Sequence, residues 1–152
     1  MKIAGTQTLR ASRERVFQAL NDPDVLRRCI PGCERLEKTG EDGYAATIRA
    51  GVGAIKAVFS GTIRLEDVDP PRHCRLSGEG RGQPGFAKGT GTLDLDESDE
   101  GGTLIRYEGE VQIGGLIAGV GQRMIQGTAK MMASQFFAAV EAEARTVDEA
   151  GE

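Results

Sequence analysis

In the stretch "AIKAVFSGTIRLEDV", Ile55, Ala57, Phe59, Gly61, Ile63 and Leu65 alternate with Lys56, Ser60, Thr62, Arg64 and Glu66. A period of two sends successive side chains to opposite faces of an extended chain, so this stretch predicts a strand with one apolar and one charged face. The pattern recurs on both sides of it. "YAATIRAGVG" sets Tyr44, Ala46, Ile48, Ala50 and Val52 on one side, "HCRLSGEG" sets Cys74, Leu76, Gly78 and Gly80, and "GFAKGTGTLDLD" sets Ala87, Gly89, Gly91, Leu93 and Leu95. "TLIRYEGEVQIGG" continues it with Ile105, Tyr107, Gly109, Val111 and Ile113, while "KIAGTQTLR" and "RLEKTG" supply two further strands. Short turns at Glu41-Asp42-Gly43, Asp69-Pro70-Pro71 and "ESDEGG" separate the strands from Glu34 onward, the signature of an antiparallel sheet with one face covered and one wet.

What covers the sheet must be helical. "SRERVFQAL" opens with Ser12 as N-cap and places Val16, Phe17 and Leu20 at helical spacing; Asn21-Asp22-Pro23 breaks it, and "PDVLRRC" reads as a second short helix ended by Ile30-Pro31-Gly32. From about Leu116 to Ala144 the spacing predicts one long helix, with Ile117, Val120, Met124, Thr128, Met131 or Met132, Phe136 and Val140 on its stripe. Such a helix is about 40 Å long, enough to lie along a strongly curved sheet. The expected fold is α+β helix-grip: a curved seven-stranded antiparallel sheet wrapping the last helix, with two short helices after the first strand. Residues 1–145 form the single domain, and 146–152 a flexible C-terminal tail.

Glycine supplies 22 of the 152 residues, about twice the usual share of roughly 7%. Many fall on the inward face of the predicted sheet: Gly5, Gly61, Gly78, Gly80, Gly89, Gly91 and Gly109, beside Ala46, Ala50, Ala57 and Ala87. Interiors are close-packed, so small residues facing small residues either draw the layers together or leave a hollow; glycine also relieves a sharply bent strand. Met124, Met131 and Met132 suit either core filling or an adaptable wall for a bulky apolar guest. The expected lining of an apolar cavity between sheet and helix is Ile48, Phe59, Ile63, Leu76, Phe86, Tyr107, Ile117, Val120, Gly121, Met124, Thr128, Met131 and Phe136. Tyr44 and Tyr107 are its polar handles. Gly119 and Gly121 are expected to thin the first turns of the helix over the cavity mouth.

Other chemistry finds little support. A formal charge of -4 with no basic stripe argues against nucleic acid. Cys29, Cys33 and Cys74 read as buried thiols of a reducing cytosol, and the single histidine, His73, offers no zinc-ligand spacing. No nucleophile, base and acid fall together, and the GxG fragments lack a strand-turn-helix context. The longest apolar run, "IGGLIAGVG", is far short of the ~20 residues that span a bilayer.

"LNDPDVLRRCIPGCERLE", "GFAKG", and the Gly-Gly that leads into a "GQR" helix ending in Gln-Phe-Phe together resemble the carbon monoxide dehydrogenase CoxG family of the START-like (SRPBCC), polyketide-cyclase-like superfamily. The turn "GVGAIKA" departs from the Gly-Pro-Val often found there. The resemblance implies a helix-grip fold with an apolar cavity, no catalytic or metal site and no covalent cofactor. It also implies an accessory role for a molybdenum hydroxylase of the carbon monoxide dehydrogenase type. On that basis the expected guest is menaquinone, taken from the bilayer and presented to the dehydrogenase by a cytoplasmic protein in transient contact with the inner face of the membrane. The alternative is a recruitment or assembly scaffold with a filled core and no quinone. Some relatives continue into a hydrophobic anchor; in the chain as it stands, membrane contact is expected to be peripheral, through exposed apolar residues near the cavity mouth.

Overall fold

A computed structural model describes the backbone of residues 1–150 and the side chains of 1–145. Seven strands form one antiparallel sheet in the order β1-β7-β6-β5-β4-β3-β2: β1 (Lys2–Leu9), β2 (Cys33–Lys38), β3 (Gly43–Val52), β4 (Ile55–Asp69), β5 (His73–Gly82), β6 (Gly85–Glu97) and β7 (Thr103–Gly114). The sheet, the two short helices α1 (Arg13–Leu20) and α2 (Pro23–Cys29), and the long helix α3 (Gln122–Ala150) follow the expected helix-grip order. The tail expected over 146–152 lies outside the residues whose side chains are described.

Local chemistry sets the helix ends. Ser12 Oγ accepts from the Arg15 amide at 3.3 Å, and Asp22 caps α2 by accepting from the Asp24 amide at 3.0 Å, with Pro23 in the first turn. Capping oxygens satisfy amides that no earlier turn can reach. The main core gathers Leu9, Val16, Phe17, Leu95, Ile105, Phe137 and Val140 where α1, α2 and the C-terminal half of α3 meet the sheet. Polar contacts fix α3 along the same side: Arg28 pairs with Glu143 through Nε at 2.8 Å and through a second nitrogen at 3.2 Å, the Arg10 amide donates to Glu141 at 2.7 Å, and Gln7 donates to Ser134 at 3.1 Å. The Arg28 guanidinium holds the Glu143 carboxyl below the usual carboxylate range.

The long helix departs from expectation at its start. Leu116–Val120 is a 3-10 turn, and α3 begins only at Gln122. Gly115 (φ +86) and Gly121 (φ +98) join this turn to its neighbours, in backbone conformations that L side chains rarely adopt. The break resets the helical phase. In α3 the buried stripe is Ile125, Phe137, Val140 and Ala144, whereas Met124 and Met131 are 47% and 52% exposed. Ile117 and Ile125 instead build a small second core with Val52 at the far end of the sheet.

Register explains the glycines of the sheet. A Cβ on Gly89, Gly91 or Gly109 would lie 2.9 Å from a carbonyl oxygen of the adjacent strand, and one on Gly61 would run into the Glu79 carbonyl. Side-chain carbons do not tolerate such approaches, so these positions are glycine because the sheet coils tightly there. Gly80 differs, since its Cβ would make only an ordinary contact at 3.7 Å with Phe59.

Gly61→Ala is therefore expected to destabilise the domain by about 1–3 kcal/mol. Gly127→Ala, inside α3 with nothing within 4 Å of the added carbon, is expected to stabilise it by roughly 0.5–1 kcal/mol. Urea unfolding of the two variants beside the parent chain measures both.

Candidate ligand-binding cavity

Four rungs of inward-facing residues cross the sheet in register. The first runs Gly5, Tyr107, Leu93, Cys74; the second Ile3, Gly109, Gly91, Leu76, Leu65. The third is Val111, Gly89, Gly78, Ile63, Tyr44, and the fourth Ile113, Ala87, Gly80, Gly61, Ala46, Leu36. The third and fourth rungs strip the middle of the sheet to Gly89, Gly78, Ala87, Gly80 and Gly61, whereas the first keeps Tyr107 and Leu93 there. Helix α3 does not descend to fill that middle. It packs on β1, α1 and α2, and it meets the sheet where Phe137 stacks on Tyr107 with ring centroids 5.8 Å apart, Phe136 lying edge-on to Phe137 at 5.1 Å.

Three hollows result, sharing walls. An inner one of about 140 Å³, exposing only apolar atoms, lies under α1 and α2 among Phe17, Leu20, Leu26, Tyr44, Leu65 and Cys74. A second, of about 350 Å³, runs beneath α3 past Tyr107, Met132 and Phe137, and shares Ile30, Leu76, Leu93 and Phe136 with the first. The third is a trough of about 340 Å³ over the small residues Ala46, Gly61, Gly78, Gly80, Ala87 and Gly89, bounded by Ile48 and Phe59. It shares Ile63 with the inner hollow and Val111 with the one beneath α3. Taken together they fall in the size range of small-molecule sites, with predominantly apolar walls.

Of the residues expected to line a cavity, Ile48, Phe59, Ile63, Leu76, Tyr107 and Phe136 border these hollows. Phe86 lies at the far end of the sheet beneath Arg81, whose guanidinium carbon is 5.4 Å from its ring centroid. Ile117 and Val120 belong to the second core, Gly121 has open space around it, and Met124, Thr128 and Met131 border none of the three hollows. The contributions of α1 and α2, Phe17, Leu20 and Leu26, carry only an ordinary core signal in the sequence, as do Leu93 and Met132.

Polar groups facing the hollows are few. The inner hollow exposes only apolar atoms, so Tyr44 borders it through its ring, and Tyr107 borders the hollow beneath α3 while its hydroxyl lies over Gly5 of β1. Burial pushes the Tyr44 hydroxyl up from its usual range, with Asp22 and Asp42 adding to the effect. Cys74 in the inner hollow is likewise pushed up to about 11, and so is Cys29 behind it, both by burial first. Such thiols are poor nucleophiles at neutral pH. His73 Nδ1 sits 2.7 Å from Asp94 Oδ1 at the sheet end, outside the three hollows. Among the described residues no cluster of His, Cys, Asp and Glu could hold a metal ion, and no helix is long and apolar enough to cross a membrane.

Comparison with known proteins gives the same picture. The sequence profile of the CoxG subunit of carbon monoxide dehydrogenase matches residues 5–145. A conserved protein from Geobacillus kaustophilus is 35% identical and superposes with a TM-score of 0.92 over 97% of each chain. The Zhui aromatase/cyclase from Streptomyces sp. R1128 (13% identical, TM-score 0.67, 97% of this chain and 94% of that one) shares the fold. So does a START superfamily protein from Mycobacterium smegmatis (12%, 0.68, 96% and 98%). No curated protein sequence matches.

The raised thiols give a measurable signature. Their unfolded counterparts ionise first as pH rises past the ordinary thiol range, so the native state, which keeps its protons to about 11, loses stability from about pH 9 upward. Denaturant midpoints taken between pH 8 and 11 are expected to fall, and to fall less in the Cys29→Ser/Cys74→Ala variant.

Proposed function

Because this chain belongs to the CoxG family of carbon monoxide dehydrogenase proteins, we propose that it is a non-catalytic carrier that takes a respiratory quinone, menaquinone, into its apolar hollows and presents it to a molybdenum-type carbon monoxide dehydrogenase. One observation carries this reading: Gly61, Gly78, Gly80, Ala87 and Gly89 strip the middle of the inward face, leaving an apolar trough beside the hollow beneath α3 where a scaffold needs only a filled core. The helix-side hollow and the trough suit a fused aromatic ring and the first units of its isoprenoid tail. Apolar walls keep the guest's surface out of water, an effect of about 25 cal/mol per Å². Transfer from bilayer to protein then exchanges one apolar surrounding for another and needs no covalent chemistry. The carrier would work at the inner face of the cell membrane, where the quinone pool is accessible to a cytoplasmic enzyme.

Gly80 tests this, because it opens onto the trough and has room for a side chain. Protein exposed to menaquinone-containing membranes is expected to yield menaquinone on solvent extraction and mass spectrometry. Gly80→Leu is expected to lose most of that load while still unfolding cooperatively. Parent protein that remains free of quinone after such exposure overturns the reading.

A further inference from the structure

We propose that the end of the fold formed by the β3–β4 turn, the β5–β6 turn and the 3-10 turn Leu116–Val120 docks on an anionic lipid surface, with Leu116 inserted and Lys56, Arg81 and Arg123 facing the headgroups. The three turns converge. The Ile117 amide donates to the Pro84 carbonyl at 2.7 Å, and a Cβ on Gly53 would meet Met124 and Val120 at ordinary contact distance. Leu116 is 72% exposed, the most of any large hydrophobic side chain among the described residues, and Met124 beside the β3–β4 turn is 47% exposed.

Charge selects lipid as the occupant. Residues 43–65, 80–93 and 111–140, which contain the three turns, include no Asp or Glu, and Glu79, the carboxylate nearest the β5–β6 turn, lies across from Lys88 in the sheet. The carboxylates nearest to it on β7 are engaged, Glu108 with Lys2 at 2.8 Å and Glu110 with the N-terminal ammonium at 3.4 Å. Lys56, Arg81 and Arg123 pair with no carboxylate of a described residue, and the first turn of α3 holds no acidic side chain. The acidic turns, Glu41-Asp42, Asp67-Asp69 and Glu97-Glu100, all lie at the opposite end of the sheet, because antiparallel order sends alternate turns to opposite ends. A chain of net charge -4 is therefore cationic and apolar at one tip only, the combination that binds an anionic bilayer peripherally. This inference rests on the carrier reading for its purpose: the docked end is the one next to the trough.

Co-sedimentation of the full chain with vesicles of phosphatidylcholine alone, or with added phosphatidylglycerol, tests it. Binding is expected on the anionic vesicles only, weakening as salt screens the contact. The triple variant Lys56→Glu/Arg81→Glu/Arg123→Glu is expected to bind at least about tenfold more weakly, and Leu116→Ser, at a site whose exposure keeps folding out of play, also more weakly. Equal binding to neutral vesicles, no binding to either kind, or undiminished binding by both variants overturns the proposal. Menaquinone uptake from detergent micelles needs no lipid surface and reports on the cavity separately, so its failure in the parent chain would sink the carrier reading while the vesicle result still decides the docking surface.

Discussion

The stack of Phe137 on Tyr107 fixes where α3 meets the sheet. On one side of it, Val140 and Ala144 sink into the core, and Arg28 and the Arg10 amide hold Glu143 and Glu141. On the other, the helix runs on over rungs whose middle holds glycine and alanine, and it regains the sheet at the far end, where Ile125 packs with Val52 and Ile117. A rigid cylinder held near both ends over a concave sheet cannot close the gap between them, so the hollow follows from these contacts and from the residue volumes facing it.

The small residues therefore serve two ends. Gly61, Gly89, Gly91 and Gly109 are needed because neighbouring backbone occupies the space of a Cβ. Bending and hollowing thus proceed from the same rungs: tight coiling requires glycine, and glycine leaves the concave face bare. Gly80, with room to spare, is where the second effect stands apart from the first.

The seven strands were legible in the sequence because the inward-outward alternation runs through them, with register shifts only at Cys33/Arg35 and Glu66/Asp69 among the described pairings, and the turns are marked by Gly, Pro and acidic runs. Helices α1 and α2 were legible from Ser12, Asp22 and Pro23, whose capping chemistry is local. The phase of the last helix was not. Ile117, Val120 and Met124 keep helical spacing across Gly121, but the positive φ of that glycine turns the chain before α3 begins, so the stripe continues through Ile125 and Phe137 and leaves Met124 and Met131 outside. The inner hollow was hidden for another reason. Phe17, Leu20 and Leu26 have the ordinary apolar spacing of any packed helix, and only the facing rungs reveal that they border empty space.

Tyr107 can lie across β1 only because residue 5 lacks a side chain, since a Cβ there would collide with the phenol, and Phe86 lies over Gly114 in the same way. Residues about a hundred positions apart in the chain are thereby inherited as a single character. A side chain acquired at position 5 would displace the ring at 107, and with it the stacking partner of Phe137.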